Sequence, residues 1–570
     1  MRALRHVKRG ISVGPVRPAI LDSQKTLRNP DLAIQGNNRS LQQNVGVPPA
    51  CRRSPTMEAL MSSHVTTEGS ADAAAAARAR AVPLQHPDRL YLDGRWVEPA
   101  AASSFAIVDP ATEELYYRIA LAGAEDMSAA IAAARRAFDR SEWPLLAPAE
   151  RADWLRKIAD GLRRRAGDAS ELWTRQVGVL HSMSVASIER VGAHYDYYAD
   201  LAADFPFEVR HQPMQGAFGS VVREPVGVVG AIVAWNTPMS LAAYKVAPAL
   251  LAGCTVVLKA PPEAPGEAYV LAEVAEEIGL PAGVLNVLTA DREVSEQLVR
   301  DPRVDKIAFT GSSVVGRRIA SICGDRMARY TLELGGKSPA VVFDDYDLET
   351  AATLLANAEC TLNGQVCSSL TRVIVSRHRH DAFAEALGAA FGAVRIGDPF
   401  DAASQLGPLA MERQRDRVED YIAKGVAEGA RLVTGGARPD GFERGFYIQP
   451  TVFAGVDNQA TIAQEEIFGP VLSVIPADDE EHAIELANET VFGLNATVFT
   501  DDVDRAHRAA RRLRSGTVGH NGYRTDPRMG FGGFKQSGVG REGGRDGLLP
   551  YLESKTVILD GLPTGYDPLG

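Results

Sequence analysis

Five short apolar runs constrain this chain more than anything else in it. They are GAIVAW (230–235), TVVLK (255–259), GVLNVL (283–288), DKIAFTG (305–311) and YTLELGG (330–336), separated by segments of helical pattern. Parallel strands need long crossovers and are buried on both faces, so this alternation predicts βαβ units. The expected fold class is therefore α/β, built on a buried parallel sheet. The first run ends at Asn236, the second at Lys259, the fourth at Thr310-Gly311 and the fifth at Glu333. Ligands of open parallel sheets bind at the carboxyl ends of the strands. Those endings together mark a candidate site.

Neighbouring segments add to that frame. Three- and four-residue apolar spacing predicts helices over 125–140 and 148–165, and residues 207–223 alternate about a glycine-containing turn as a hairpin would. FTGSSVVGRRIA (309–320) reads as strand, turn and helix, whose free N–H groups suit a pyrophosphate. Its Gly311 and Gly316 stand five apart, so it is not a GxGxxG fingerprint. LELGGKSPAVVF (332–343) resembles the end of a P-loop, but Thr331 occupies the position of the first glycine. Pro339 and an apolar run follow Lys337, so no helix opens there to take a phosphate. The phosphate reading fails, and Glu333 becomes the residue of interest.

A nucleophile comes from the second half. Cys367 lies in LNGQVCSSLTR (362–372), a polar junction between a helical segment (347–361) and a strand (372–376). A free cysteine has a pKa near ~8.5 and needs activation. With a strand-end glutamate and the Asn236 amide, the set suits covalent catalysis with an oxyanion site. No histidine stands in a convincing partner motif.

Composition excludes other classes. The formal charge is −11; without residues 1–56, which carry ten basic and two acidic side chains, 51 basic and 70 acidic residues remain, or −19. That argues against nucleic acid or an anionic membrane as partner. The run Val226–Trp235 is too short to span a bilayer. The five cysteines are odd in number and contain no CxxC pair, which fits a reducing, cytoplasmic setting without disulfides or a zinc site. Cys254 and Cys323 sit in apolar patterns and read as core residues. Residues 1–56 are Arg-rich without glutamate, as in a transit peptide or translated sequence upstream of a start at Met57 or Met61. Residues 1–84 are expected to be a disordered extension. Ten lysines stand against 51 arginines, and Lys245, Lys259, Lys337 and Lys535 all lie near the motifs above, where a compact ammonium is needed.

Over roughly residues 85–560 the chain resembles the aldehyde dehydrogenase superfamily. The likeness is carried by AWNTP (234–238), VVLK (256–259), FTGSSVVG (309–316), LELGGKSP (332–339), GQVC (364–367), EEIFGPV (465–471), GFGGFKQSG (530–538) and GRE (540–542). The resemblance implies a Rossmann-like dinucleotide-binding domain (85–206 and 224–334), an α/β catalytic domain (335–535) and a β oligomerisation element (207–223 with 551–560). It implies Cys367 as nucleophile, Asn236 as oxyanion donor and Glu333 as the base that activates hydrolytic water. It places Trp235, Lys259, Gly311, Ser312, Gly316, Leu334, Glu466 and Phe468 at the cofactor, with no metal. A homodimer or homotetramer is expected.

Two departures bear on the cofactor. Relatives that prefer NAD often carry glutamate three residues after the strand-end lysine; here Pro262 stands there, with Glu263 next. NAD is the expected cofactor and NADP the alternative. The turn after VLNVL reads Thr289-Ala290-Asp291 in place of the usual glycines. Positions expected along the aldehyde tunnel are Thr237, Ser240, Leu241, Tyr244, Val366, Ser368 and Phe531, which favour a neutral aldehyde. Arg524 and Arg528 would suit a semialdehyde carboxylate if they faced the tunnel, but are expected in solvent. A non-catalytic member is the other alternative; loss of Cys367 or Glu333 would mark it, and both are present.

Overall fold

The computed structural model describes residues 81–564. Expectations for residues 1–80 lie outside the described residues. Residues 83 and 84, expected within the N-terminal extension, already belong to the fold. Leu84 is buried in the core and the Pro83 carbonyl accepts a hydrogen bond from Arg165.

The five apolar runs form the parallel centre of an eight-stranded sheet. Its spatial order is Gly538–Val539, Arg329–Glu333, Lys306–Thr310, Val228–Ile232, Thr255–Ala260, Leu285–Thr289, Leu90–Leu92 and Arg95–Val97. The chain enters at Val228–Ile232, winds outward through two strands, then returns to the other side for the remaining two. The order therefore reverses between Val228–Ile232 and Lys306–Thr310, the topological switch point of a doubly wound sheet. The short edge strands pair antiparallel, which their lengths did not announce in the sequence.

Helices cover both faces. On one lie Pro148–Arg164, Ala166–Val177, His181–Asp204, Pro238–Ala252 and Gly266–Glu277; on the other lie Ala124–Arg140, Arg292–Arg300 and Ser313–Asp325. The sequence sets their ends. Pro238 occupies the first turn of Pro238–Ala252, where its missing N–H costs nothing, and Gly253 closes that helix at φ 94°. Ser312 and Asp291 cap their helices by accepting from the backbone N–H of Val315 and Val294. Such caps contribute about 1 kcal/mol each.

A second sheet has seven strands, in the order Arg431–Thr434, Thr451–Ala454, Val471–Ala477, Arg372–Ser376, Pro339–Val342, Asn495–Phe499 and Thr517–His520. All its pairs are parallel except the first. Pro339–Val342 begins six residues after Glu333, so LELGGKSP is the link between the sheets. The 207–223 region forms the expected hairpin, Glu208–His211 with Phe218–Pro225. Leu552–Leu559 adds to it as a third antiparallel strand. Among the described residues no helix is long and apolar enough to cross a membrane.

Candidate active site

The strand ends at the switch point bring the predicted residues together. Asn236 follows Val228–Ile232 by four residues and is buried; the Trp173 indole N–H donates to its carbonyl at 2.8 Å. One N–H of its side-chain amide donates to the Gln365 carbonyl at 3.0 Å, two residues before Cys367. An amide carries two such donors, so this bond orients the other.

The Cys367 segment is strained and clamped. Leu362, Asn363 and Gly364 all lie in the left-handed region, at φ 51°, 58° and 74°. Two consecutive non-glycine residues there cost energy that surrounding contacts must offset. Asn363 supplies those contacts. Its amide donates to the carbonyls of Gly178 (2.9 Å) and Pro408 (2.8 Å) and accepts from the Gly407 N–H (2.8 Å). Gln365 accepts from the Ala410 N–H at 3.0 Å. A Cβ on Gly364 would sit 2.3 Å from the Gly469 carbonyl carbon, so only glycine fits. Gly336 is fixed likewise, since a Cβ there would stand 2.3 Å from the Cys367 carbonyl oxygen. The glycines of LELGGKSP are thus spaces through which the two sheets approach.

Glu333 ends its strand 3% exposed, with neither carboxylate oxygen hydrogen-bonded. Gly532, at φ 151°, leaves room for it: a Cβ there would lie 2.4 Å from Oε1. Burial pushes the Glu333 carboxyl well above its ordinary range, and Glu542 adds to this; Lys245 and Arg541 oppose it. Lys245 is fully buried and donates to Glu542 Oε1 at 2.7 Å and to the Thr310 hydroxyl at 2.6 Å. Cys367 is half-buried. Burial, then Glu466 and Glu333, push its thiol up to about 12. The resting sulfur is accordingly a thiol at neutral pH, and the buried carboxylates lie near enough to be felt by it.

The residues expected at a cofactor also converge. Trp235 and Phe468 meet edge to face, ring centroids 5.3 Å apart, with Phe468 held at φ 67°. Glu466 accepts from the Gly336 N–H at 3.2 Å, and burial raises its carboxyl to about 7. Lys259 is buried at its strand end; desolvation lowers its ammonium to about 8, against the pull of Glu263 and Asp291. Beyond Ser312, whose hydroxyl takes the Val315 N–H, the helix Ser313–Asp325 presents the N–H groups of Ser313 and Val314, which helix geometry leaves without intrahelical acceptors. The Gly311 N–H is committed to the Glu333 carbonyl at 3.0 Å, so Gly311 offers closeness and no donor. Gly316 packs against Leu334, where a Cβ would come within 2.5 Å of Cδ2. Together these give a helix N-terminus, an aromatic pair and partly to fully buried polar side chains, a set that fits a dinucleotide. Glu263, the acid beside Pro262, is ion-paired with Arg413.

The model of the aldehyde dehydrogenase family matches residues 96–557. The chain belongs to the aldehyde dehydrogenase family. It is 43% identical over 479 residues to the geranial dehydrogenase of Castellaniella defragrans, covering 83% of this chain and 98% of that protein. It is 44% identical over 473 residues to betaine aldehyde dehydrogenase 1 of Rhizobium meliloti, covering 82% and 96%. A crystal structure of Mycobacterium tuberculosis aldehyde dehydrogenase complexed with NAD+ superposes with a TM-score of 0.81 at 44% identity, covering 84% and 99%.

Within this aldehyde dehydrogenase fold, several site residues escaped the sequence reading. Glu542 was noticed only as part of GRE, and its partner Lys245 only as a rare lysine; they are 297 residues apart. Asn363 carried no signal beyond its place near Cys367. Tyr523 was also missed: its hydroxyl and that of Ser368 lie 2.7 Å apart. Of the tunnel positions, Tyr244 stacks on Phe531 at 6.5 Å and takes the edge of His194 at 4.5 Å. Arg524 and Arg528 are exposed, and Arg528 is paired with Asp526. Cys254 and Cys323 are buried core thiols, as expected. Among the described residues no cluster of His, Cys, Asp or Glu is placed to hold a metal.

Proposed function

We propose that this chain oxidises a neutral aldehyde to a carboxylic acid, with Cys367 as nucleophile and Glu333 as hydrolytic base. The observation that carries this is a buried carboxylate without hydrogen-bond partners, poised near a thiol whose neighbouring amide donor is pre-oriented. NAD is the cofactor, held by Trp235, Lys259, Ser312, Glu466 and Phe468, with Gly311, Gly316 and Leu334 setting the backbone. The NAD+ in the solved relative supports this reading. When bound, the oxidised nicotinamide would supply a hydride acceptor.

The chain's own residues do the remainder. Cys367 gives up its proton to a neighbouring raised carboxylate, and its sulfur bonds to the aldehyde carbon. The new alkoxide accepts from the second Asn236 N–H and from the Cys367 backbone N–H. Loss of hydride, two electrons with one proton, leaves a thioester on Cys367. Glu333, its pKa raised by burial, removes a proton from water. The hydroxide adds, the C–S bond breaks, and acid and thiolate separate. Leu241, Tyr244, Val366 and Phe531 favour an uncharged substrate, as does the geranial named for one relative. The β element of 207–223 and 551–560 is proposed to join copies of the chain.

Stopped-flow absorbance of the reduced nicotinamide tests the assignment. Cys367→Ala should abolish turnover. Glu333→Gln should give one burst per site and then stall at the thioester. A full steady-state rate in Glu333→Gln would overturn the assignment of the base.

A further inference from the structure

One polar contact beside Cys367 takes no part in the steps of oxidation. The Ser368 and Tyr523 hydroxyls lie 2.7 Å apart, although the two residues are 155 positions apart in the chain. Both are fixed by other contacts. Ser368 is 1% exposed, and the amide of Asn495, at the start of Asn495–Phe499, donates to its carbonyl at 3.2 Å. Tyr523 follows the parallel neighbour Thr517–His520 by three residues. The turn between is set by Asn521, at φ 53°. Its side chain accepts from the Thr500 N–H at 3.0 Å and donates to the Thr500 carbonyl at 2.9 Å. The Thr497 hydroxyl donates to the Gly522 carbonyl at 3.0 Å. A left-handed asparagine persists only under such contacts, and what this one delivers is the Tyr523 hydroxyl to Ser368.

Hydroxyl chemistry sets the direction of the pair. Burial pushes the Tyr523 phenol up to about 12, so it keeps its proton at neutral pH, and the Thr525 hydroxyl is placed to donate to its oxygen. A hydroxyl has a single proton to give. With the Tyr523 proton given to Ser368, the Ser368 proton is left for another acceptor. The Cys367 sulfur is beside it: burial, Glu466 and Glu333 disfavour the thiolate, while the Cys367 N–H and the Ser368 hydroxyl favour it. Hydrogen bonds in a chain polarise one another, so the outer hydroxyl strengthens the inner one. Neutral donors suit this place. A cation there would also act on Glu333 and lower the pKa of the proposed base.

Resting on the reading of Cys367 as nucleophile, we propose that Tyr523 is a positioning residue that turns the Ser368 hydroxyl onto the Cys367 sulfur and so stabilises the thiolate. When Cys367 loses its proton to a carboxylate, neither hydroxyl ionises. Ser368 donates to the sulfur, Tyr523 donates to Ser368, and no bond of either side chain breaks.

The test needs no aldehyde. The full chain is alkylated with iodoacetamide, and Cys367 is followed by peptide mass spectrometry, which separates it from the other cysteines. Ser368→Ala should slow alkylation about threefold, since less thiolate is partly offset by a more nucleophilic sulfur. Tyr523→Phe, at a half-buried position that loses one oxygen atom, should slow it about twofold by the same reasoning. The double variant should match Ser368→Ala alone, whereas independent hydroxyls would multiply to about sixfold. N-ethylmaleimide should show the same factors, because a smaller thiolate fraction slows every electrophile alike, while a reshaped loop would discriminate by size. The infrared S–H stretch of Cys367, isolated by subtracting the Cys367→Ala spectrum, should shift in Tyr523→Phe. An unchanged rate or an unmoved S–H band in Tyr523→Phe, multiplying effects, or factors that differ between the two reagents would overturn the proposal. Faster alkylation in Tyr523→Phe would do the same, by showing that Ser368 donates to Tyr523. Absence of turnover with every aldehyde, with the alkylation pattern as expected, would instead sink the aldehyde reading and leave the hydroxyl relay standing.

Discussion

At the scale of single residues, the proposed base is a carboxyl kept buried without a hydrogen-bond partner. Burial raises the Glu333 pKa and Glu542 adds to it, Lys245 opposes, and no hydrogen bond lowers it. Glu542→Gln removes the raising charge and leaves Lys245 without its anion, so the Glu333 pKa should fall. A base works only when deprotonated, so the acid limb of the kcat–pH profile should move to lower pH. An unmoved or raised limb would count against the coupling. The same burial sets a stability sign. A carboxyl whose folded pKa is raised loses stability as pH climbs above the unfolded value and until it passes the folded one. Glu333→Gln should therefore raise the melting temperature more at about pH 8 than at about pH 4, by calorimetry. The positions of Glu333 at a strand end and Cys367 at a junction between elements were legible in the sequence, because each closes or interrupts a regular element. Lys245 and Glu542 were not, since a pair so distant along the chain leaves no local pattern.

At the scale of elements, the Cys367 segment owes its shape to Asn363. Asn363→Ala removes three buried hydrogen bonds and strands the carbonyls of Gly178 and Pro408. A loss of about 2–4 kcal/mol is expected by chemical denaturation, with slower alkylation of Cys367 as the loop relaxes. The helix that opens at Ser313 makes a second case. In Gly316→Ala the added methyl meets Leu334, and overpacking of about 1–3 kcal/mol should tilt the helix end from its strand. NAD affinity should weaken about tenfold in titration while the circular dichroism stays native. The parallel strands were readable because burial on both faces writes continuous apolar runs. The sheet's edges, Arg95–Val97 and Gly538–Val539, were not, because two or three residues cannot display a period. The left-handed run at 362–364 was equally silent. Leucine and asparagine adopt that conformation only under contacts from distant segments. Gly311 shows the converse: its spacing was legible, but the use of its N–H by Glu333 was a matter of register.

At the scale of the whole molecule, the three-stranded sheet has two unlike edges. Glu208–His211, EVRH, carries charged side chains along one edge, a composition that discourages further pairing. Leu552–Leu559 forms the other, eight residues long, with Ile558 58% and Leu559 40% exposed at its end. Met214, at the hairpin turn, is fully exposed. An open edge that long, ending in apolar side chains, invites a second copy to extend the sheet or cover it. If this element joins subunits, placing two ammonium groups at its apolar end should disfavour the contact, because desolvating unpaired charges is costly. Ile558→Lys with Leu559→Lys should therefore reduce the native mass, measured by analytical ultracentrifugation, to half or less. Both positions are exposed in the single chain, so its melting should change little once dissociation is allowed for. An unchanged mass would place the interface elsewhere, and Glu208–His211 would be the next edge to alter.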